Sequence, residues 1–166
     1  MARLSSRGVR LHKKGLELLQ PEPRVVKIAK DYFHIHTYGG FTPFFAGLLK
    51  KKLMATRCAN RACKEKRLFL PPRPHCPDCL LPMKWVAAPL EGTIYTHTTI
   101  LYPGAPFKLT TPCPLISVEL PGVCTRMMSY LKRGTPYIGM KVRAVFNTAK
   151  PTHSILDLAF EPVEPA

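Results

Sequence analysis

Four cysteines grouped as two close pairs constrain this chain more than any other feature. They lie in the stretch 58–79, CANRACKEKRLFLPPRPHCPDC, as C-x4-C, twelve intervening residues and then C-P-D-C. A zinc ribbon needs this spacing, because each pair occupies a tight turn and a short strand–turn–strand brings four thiolates together tetrahedrally. The sequence therefore predicts one zinc ion per chain with four ligands, Cys58, Cys63, Cys76 and Cys79.

A site of four thiolates is closed to water and substrate, so we expect this zinc to be structural and to contribute folding free energy. The alternatives are two disulfides or four buried free thiols. No secretory signal is evident near Met1, which predicts a reducing, cytoplasmic environment and disfavours disulfides. The first pair departs from the usual CxxCG form. His75 is a less favoured substitute ligand, because adjacent residues rarely both ligate a metal.

The positive charge is concentrated in one half of the chain. The net charge is +15, and residues 1–84 carry 18 basic and 5 acidic side chains, against 7 and 5 in residues 85–166. Such a balance indicates an anionic partner, whether nucleic acid, a phosphate-bearing cofactor or an acidic protein. No apolar run reaches the length of a membrane span, so no membrane association is expected.

Composition and motifs divide the chain into four predicted segments. We expect a basic N-terminal arm at 1–41, a docking helix at 42–53, the zinc ribbon at 54–89 and an OB-fold barrel at 90–166. The predicted fold class is thus mostly β, with an N-terminal helical arm, a four-cysteine ribbon and a five-stranded OB-like barrel.

The predicted helix begins with Thr42 as its N-cap and Pro43 at the first helical position, and it continues to about Lys52. Helical spacing places four large apolar residues on one face, and we expect that face to bind a partner: Phe44, Phe45, Leu48 and Leu49. The alternative is that the same face packs on the chain's own barrel.

The second half of the chain reads as strands and turns without a helix. Alternating and β-branched patterns predict five strands, in GTIYTHTTILY, PLISVELPG, VCTRMMSYL, MKVRAVFN and HSILDLAF, with breaks at Gly122, Gly134 and Gly139. Five strands in about 70 residues fit a small Greek-key barrel of the OB type, with a β-sandwich as the alternative. Cys113 and Cys124 are interpreted as core thiols.

No nucleotide-binding or hydrolase motif is present, so we expect the chain not to be catalytic alone. A cysteine nucleophile paired with a histidine base stays open as an alternative, because Cys113 or Cys124 could meet His97 or His153 in space.

The order of these elements resembles a known family. The motifs that carry the likeness are KKLMATRC, LPPRPHCPDC followed by Trp85, EGTIYTHT, the strand 112–119 and IGMKV at 138–142, covering about residues 40–161. They resemble the zinc-ribbon/OB-fold accessory proteins that accompany thiolases in acyl-CoA metabolism, among them small subunits of benzoylsuccinyl-CoA-type thiolases.

The resemblance implies a non-catalytic subunit of a hetero-oligomeric complex. Its partner would be a thiolase-fold subunit that holds the reactive residues and acts on an acyl-CoA substrate. The chain would help to shape the coenzyme A site, and arginine and lysine side chains suit the phosphates of that cofactor. The candidate contacts are Arg73, Lys108, Arg126 and Lys132. The alternative function is a nucleic-acid-binding protein, since ribbons and OB barrels both occur in that class.

Overall fold

The computed structural model describes residues 9–11, 17–20, 25–27, 30–32, 38–102 and 109–163. The chain divides into two units, Met1–Thr37 and Tyr38–Ala166. In the first unit four short strands form two antiparallel pairs, β1 with β4 and β2 with β3. Their bounds are β1 Val9–Leu11, β2 Glu17–Gln20, β3 Val25–Lys27 and β4 Lys30–Tyr32. Residues 38–41 of the predicted arm belong to the second unit, and the arm's remaining residues lie outside the described ones.

The second unit begins with a short 3-10 turn, Gly39–Phe41, that leads into helix α1, Thr42–Leu49. The predicted cap at Thr42 is wrong, because Phe41 occupies the cap position and the Thr42 hydroxyl donates to the carbonyl of Gly39. The helix also ends earlier than expected. Lys51 adopts a φ of 56°, a left-handed conformation that cannot continue a right-handed helix.

The ribbon is a three-stranded antiparallel sheet in the order β6-β5-β7. Its strands are β5 Met54–Cys58, β6 Leu68–Phe69 and β7 Met83–Ala87. Strand β5 is central, and it ends at the first zinc-ligand candidate. The two cysteine-bearing turns therefore lie at one end of the same small sheet.

Five further strands close into a barrel in the order β10-β12-β11-β8-β9. They are β8 Glu91–Ile100, β9 Cys113–Glu119, β10 Arg126–Leu131, β11 Lys141–Phe146 and β12 Leu158–Pro162. All neighbours are antiparallel except β10 and β12, which run parallel. A five-stranded Greek-key barrel is the OB architecture, so the predicted fold class is confirmed and the sandwich is excluded.

The predicted glycine breaks all fall between barrel strands. Gly122 and Gly139 have φ values of 72° and 91°, which side chains with a Cβ rarely adopt. Strand β8 has an irregularity between Ile94 and Thr96 in its pairing with β9. A bulge at this point bends the strand, and β8 pairs with β11 only before it, over Glu91–Thr93.

Helix, ribbon and barrel share one hydrophobic core. Phe44 and Leu48 of α1 belong to the same buried cluster as Leu68 of the ribbon and Phe160 of the barrel. The backbone N–H of Cys124 also donates to the Leu68 carbonyl at 2.9 Å. The hydroxyl of Thr125 accepts from the N–H of Leu70 and donates to its carbonyl, each at 3.0 Å. The ribbon and the barrel therefore pack around the same core.

None of the helices in the described ranges has the length and apolarity needed to cross a bilayer.

Candidate metal centre and adjoining surfaces

The structure brings the four predicted ligands together. One sulfur from each of Cys58, Cys63, Cys76 and Cys79 lies within 4.8 Å of the others. The Sγ atoms of Cys58 and Cys79 are 3.6 Å apart, and those of Cys63 and Cys76 are 3.9 Å apart. Four sulfurs about 2.3 Å from a tetrahedral zinc would be about 3.8 Å from one another. The spacing therefore fits a metal ion, and it far exceeds the roughly 2.05 Å of a disulfide.

Backbone hydrogen bonds form the two turns that hold these sulfurs. In the first, the N–H of Cys63 donates to the carbonyl of Asn60 at 3.2 Å. In the second, the N–H of Leu80 donates to the carbonyl of Cys76 at 2.8 Å. Leu80 has a φ of 59° at the position where a CxxCG turn has glycine. The turn geometry is therefore retained although the glycine is not.

A surface ion-pair chain links the two turns. Arg67 contacts Glu65 at 3.2 Å, close to the first turn, and Asp78 at 3.7 Å, inside the second. All three side chains are substantially solvent-exposed, so these pairs contribute little stability. The metal ion, not the ion pairs, is expected to hold the turns together.

The pKa values of two of the four thiols are shifted in opposite directions. Hydrogen bonds from the Asn60 side chain and the Leu81 backbone lower the pKa of Cys79 to about 7, against the effect of burial. For Cys58 the Asn60 backbone also lowers the pKa, but burial and the three neighbouring thiols outweigh it and raise the pKa to about 12. A bound cation would favour four thiolates and release the remaining protons. Cys63 and Cys76 are buried, and Cys79 is the most accessible of the four.

The predicted partner-binding face of α1 is divided between the core and the surface. Phe44 and Leu48 are buried in the chain's own core, with 4% and 1% of their surface exposed. Phe45 is half-buried and stacks on the Tyr38 ring at a centroid distance of 4.2 Å. Leu49 is 40% exposed. Phe44 and Leu48 therefore pack on the chain itself, which was the alternative left open by the sequence. Of the four residues, Leu49 is the most exposed and so the most available to a partner.

The candidate coenzyme A contacts do not form one cluster. Arg126 begins β10 and Lys132 follows its last residue, so about 20 Å of strand separates them. Arg126 pairs with Glu119 at 2.7 Å, and Lys132 pairs with Glu161 at 3.1 Å. Arg73 lies over the Phe69 ring at 5.1 Å. Lys108 lies outside the described residues.

A cleft of about 640 Å³ on the barrel includes Arg126 in its wall, a residue for which the sequence predicted a binding role. Its volume is in the range of small-molecule sites. No sequence pattern indicates the other lining residues, because they come from three separate segments and two further positions: Glu91–Thr93, Glu119–Pro121, Val123–Thr125, Lys141 and Val163.

The two remaining cysteines differ in exposure. Cys113 is buried, as predicted, but Cys124 is exposed, so its interpretation as a core thiol is wrong. Cys124 lies in the turn before β10, where its backbone pairs with the ribbon. Within the described ranges, no hydrogen bond joins Cys113 or Cys124 to a histidine side chain, and His153 contributes its carbonyl to a bond from the Tyr38 hydroxyl.

Comparison with known proteins shows that most of the barrel is similar to one type of OB-fold domain. Residues 85–147 match the family model "ChsH2, C-terminal OB-fold domain". A chain of the solved structure "Ltp2-ChsH2(DUF35) aldolase" is 29% identical, with a TM-score of 0.60. The match covers 78% of this chain and 98% of that one.

A second solved structure, a DUF35-family protein of unknown function from Sulfolobus solfataricus, is 20% identical with a TM-score of 0.55. The match covers 76% of this chain and 87% of that one. At this level of identity it supports the fold alone. A search of curated proteins found no match. The resemblance predicted from the sequence is confirmed, since the chain is similar to DUF35 proteins with an OB-fold domain of the ChsH2 type.

Proposed function

We propose that this chain is a zinc-binding, non-catalytic subunit of a thiolase-type acyl-CoA enzyme complex. The observation that carries the proposal is the match to almost the full length of one chain of an aldolase whose name joins two components, Ltp2 and ChsH2. A ribbon with a closed four-thiolate site suits this role, because such a site stabilises a fold and offers no open position for chemistry. The reactive residues would then belong to the partner.

Zinc is the metal we propose for the cysteine cluster. Four thiolates at tetrahedral spacing fit zinc, and the cluster would bind it through Cys58, Cys63, Cys76 and Cys79. When bound, the ion would fix the relative position of the two turns. Its effect would extend to the barrel through the hydrogen bonds from Cys124 and Leu70 described above.

Co-purification tests the partnership directly. Tagged chain expressed in its native host should retain a thiolase-fold subunit, identified by mass spectrometry, and the isolated chain should show no thiolysis or aldol cleavage. Turnover by the isolated chain that Cys113→Ser or Cys124→Ser abolishes would contradict the accessory role. Purification without any thiolase-fold protein at low ionic strength would contradict the partnership.

Coenzyme A binding is proposed at the Arg126 side of the barrel. Thr125 is hydrogen-bonded to Leu70, so Arg126 and Arg73 each lie within three residues of one contact between ribbon and barrel. Arg126 also contributes to the 640 Å³ cleft. Two guanidinium groups in this region suit the phosphates at the nucleotide end of coenzyme A.

Substitution at the two ends of β10 tests that assignment. In the complex, Arg126→Gln is expected to weaken coenzyme A binding about 10-fold, the effect of losing one charge-assisted contact. Lys132→Gln removes the same charge about 20 Å away and should leave the affinity within about twofold. Isothermal titration with coenzyme A measures both. Equal losses in the two variants would show a general charge effect, and no loss in Arg126→Gln would exclude this site.

Nucleic-acid binding is the second candidate, and one observation favours it. The outward face of β9 and β10, which OB folds use for oligonucleotides, presents Arg126 stacked over Tyr95 at 3.4 Å. Residues 85–166 carry 7 basic and 5 acidic side chains, however, so the barrel offers little net positive charge to a nucleic-acid backbone. Binding of single-stranded DNA that falls steeply with salt would support this alternative over the first.

A further inference from the structure

We propose that the partner enzyme of this chain docks on an uncharged strip of the barrel by adding a strand to the edge of β8. The strip is formed by Tyr95–Ile100, the following Leu101 and Tyr102, and the loop pair Tyr137 and Ile138. The identity of the partner rests on the proposed function. The location of the interface rests on the observations below.

The edge of β8 is open along six residues. Before the bulge β8 pairs with β11 over Glu91–Thr93, and its pairing with β9 begins at Thr93. Tyr95 is the bulged residue, Thr96–Ile100 pair with β9 alone, and across the described residues no strand lies on the other side of Tyr95–Ile100. Six residues of strand span about 20 Å, enough for a full β-ladder with an added strand.

The edge carries no charged residue of its own in a chain that is otherwise rich in charge, and a charge placed beside it is the Arg126 guanidinium, which stacks over Tyr95 at the beginning of the edge. The chain has 25 basic and 10 acidic residues, yet 92–107 and 134–140 contain none. The two uncharged segments are joined in the fold, because the Gly139 N–H donates to the Ile94 carbonyl and the Ile94 N–H donates to the Met140 carbonyl, both at 2.9 Å. Exposed edges in monomeric proteins are usually protected by lysine or other charges, so an unprotected edge indicates one that a partner covers.

The strip also exposes an unusual share of large apolar side chains. Eleven large apolar side chains are exposed in the described ranges, and five of them belong to the strip. The exposed fractions of Leu101, Tyr102 and Ile138 are 76%, 79% and 69%. Tyr137 and Ile138 lie at the beginning of the open edge, and Leu101 and Tyr102 lie at its end. With Tyr95 they expose on the order of 600 Å², close to the roughly 800 Å² that one partner contributes to a standard interface.

These features specify the chemistry of the occupant. Backbone N–H and C=O groups on the edge require an extended segment, and the absence of charge requires a partner strand without buried unpaired charges. The apolar ends supply the anchors, because large apolar side chains carry most of the binding energy in such interfaces. The occupant is therefore an uncharged or apolar strand of the catalytic subunit.

The test uses the complete complex of this chain with the thiolase-fold subunit that co-purifies with it. Thr98→Lys adds a charge in the middle of the open edge, and Ile138→Asp adds one to the apolar end. We expect the dissociation constant to rise about 30-fold and about 100-fold respectively, since either charge would be desolvated without a partner. Ala149→Lys is the matched control, an added lysine at an exposed position beyond the opposite end of β11, and it should bind as the wild type does.

Hydrogen exchange gives an independent readout that does not depend on variants. Amides of Tyr95–Ile100 on the open edge should become protected when the wild-type complex forms, because an added strand satisfies their N–H groups. Thermal melts of the free variants should match the wild type, since both substituted side chains are exposed.

The possible failures can be told apart. Wild-type affinity in both variants, with no new amide protection, would overturn this interface while leaving the accessory function intact. A wild-type chain that binds no thiolase-fold subunit would overturn the proposed function and this partner together. A wild-type dimer that Thr98→Lys converts to a monomer would identify a second copy as the occupant, and would also overturn the proposal.

Discussion

Replacing Cys76 by serine is expected to abolish zinc binding and to unfold the ribbon. Cys76 is completely buried, and its sulfur lies 3.9 Å from that of Cys63 and 3.7 Å from a carboxylate oxygen of Asp78, so serine would leave the cluster with three thiolates. Loss of one thiolate from a closed site should cost on the order of 5 kcal/mol, because metal binding supplies folding free energy there. Metal analysis should give about one zinc per wild-type chain and none for the variant.

Cys124→Ser is the control for that experiment. It makes the same substitution at an exposed thiol outside the cluster, so zinc content and melting temperature should stay unchanged. Full zinc content in Cys76→Ser would show that other residues ligate the metal. Iron–sulfur absorption in the wild type would show that the site binds a different metal.

The second large effect is expected in helix α1, where Leu48→Ala should destabilise the isolated chain by about 3 kcal/mol. Leu48 is 1% exposed and belongs to the common core, so its truncation leaves a cavity that the neighbouring strands cannot fill. The melting temperature should fall by roughly 8 °C in the absence of any partner.

Leu49→Ala provides a matched comparison at the next residue. Leu49 is 40% exposed, so its truncation should change the melting temperature by only about 1 °C. Equal and small effects of the two variants would mean that the helix face does not pack on its own chain. In that case all four apolar positions of α1 would be available to a partner, as the sequence pattern alone suggests.

The sequence predicted the elements whose signals are local. Each barrel strand combines alternation or β-branching with a flanking turn residue, and all five were found. The cysteine spacing likewise specifies which residues meet, because two tight turns on one small sheet leave little geometric freedom.

Features that depend on distant residues could not be predicted. Helical spacing groups Phe44 with Leu48, but it does not say which surface covers them. Cys124 is exposed in a turn whose backbone hydrogen-bonds to Leu68, 56 positions earlier, and no local pattern encodes that contact. The early end of α1 depends on a left-handed Lys51, a residue type without a strong preference for that conformation.

The parallel pairing of β10 with β12 has a consequence for synthesis of the protein. Strand β12 lies between β10 and β11, so the barrel cannot close until Leu158–Pro162 have left the ribosome. All four candidate metal ligands emerge far earlier, with Cys79. A nascent chain could therefore bind a metal ion at this cluster while β10 and β11 still present open edges. We expect zinc supply to act during translation, before the buried ring of Phe160 completes the core.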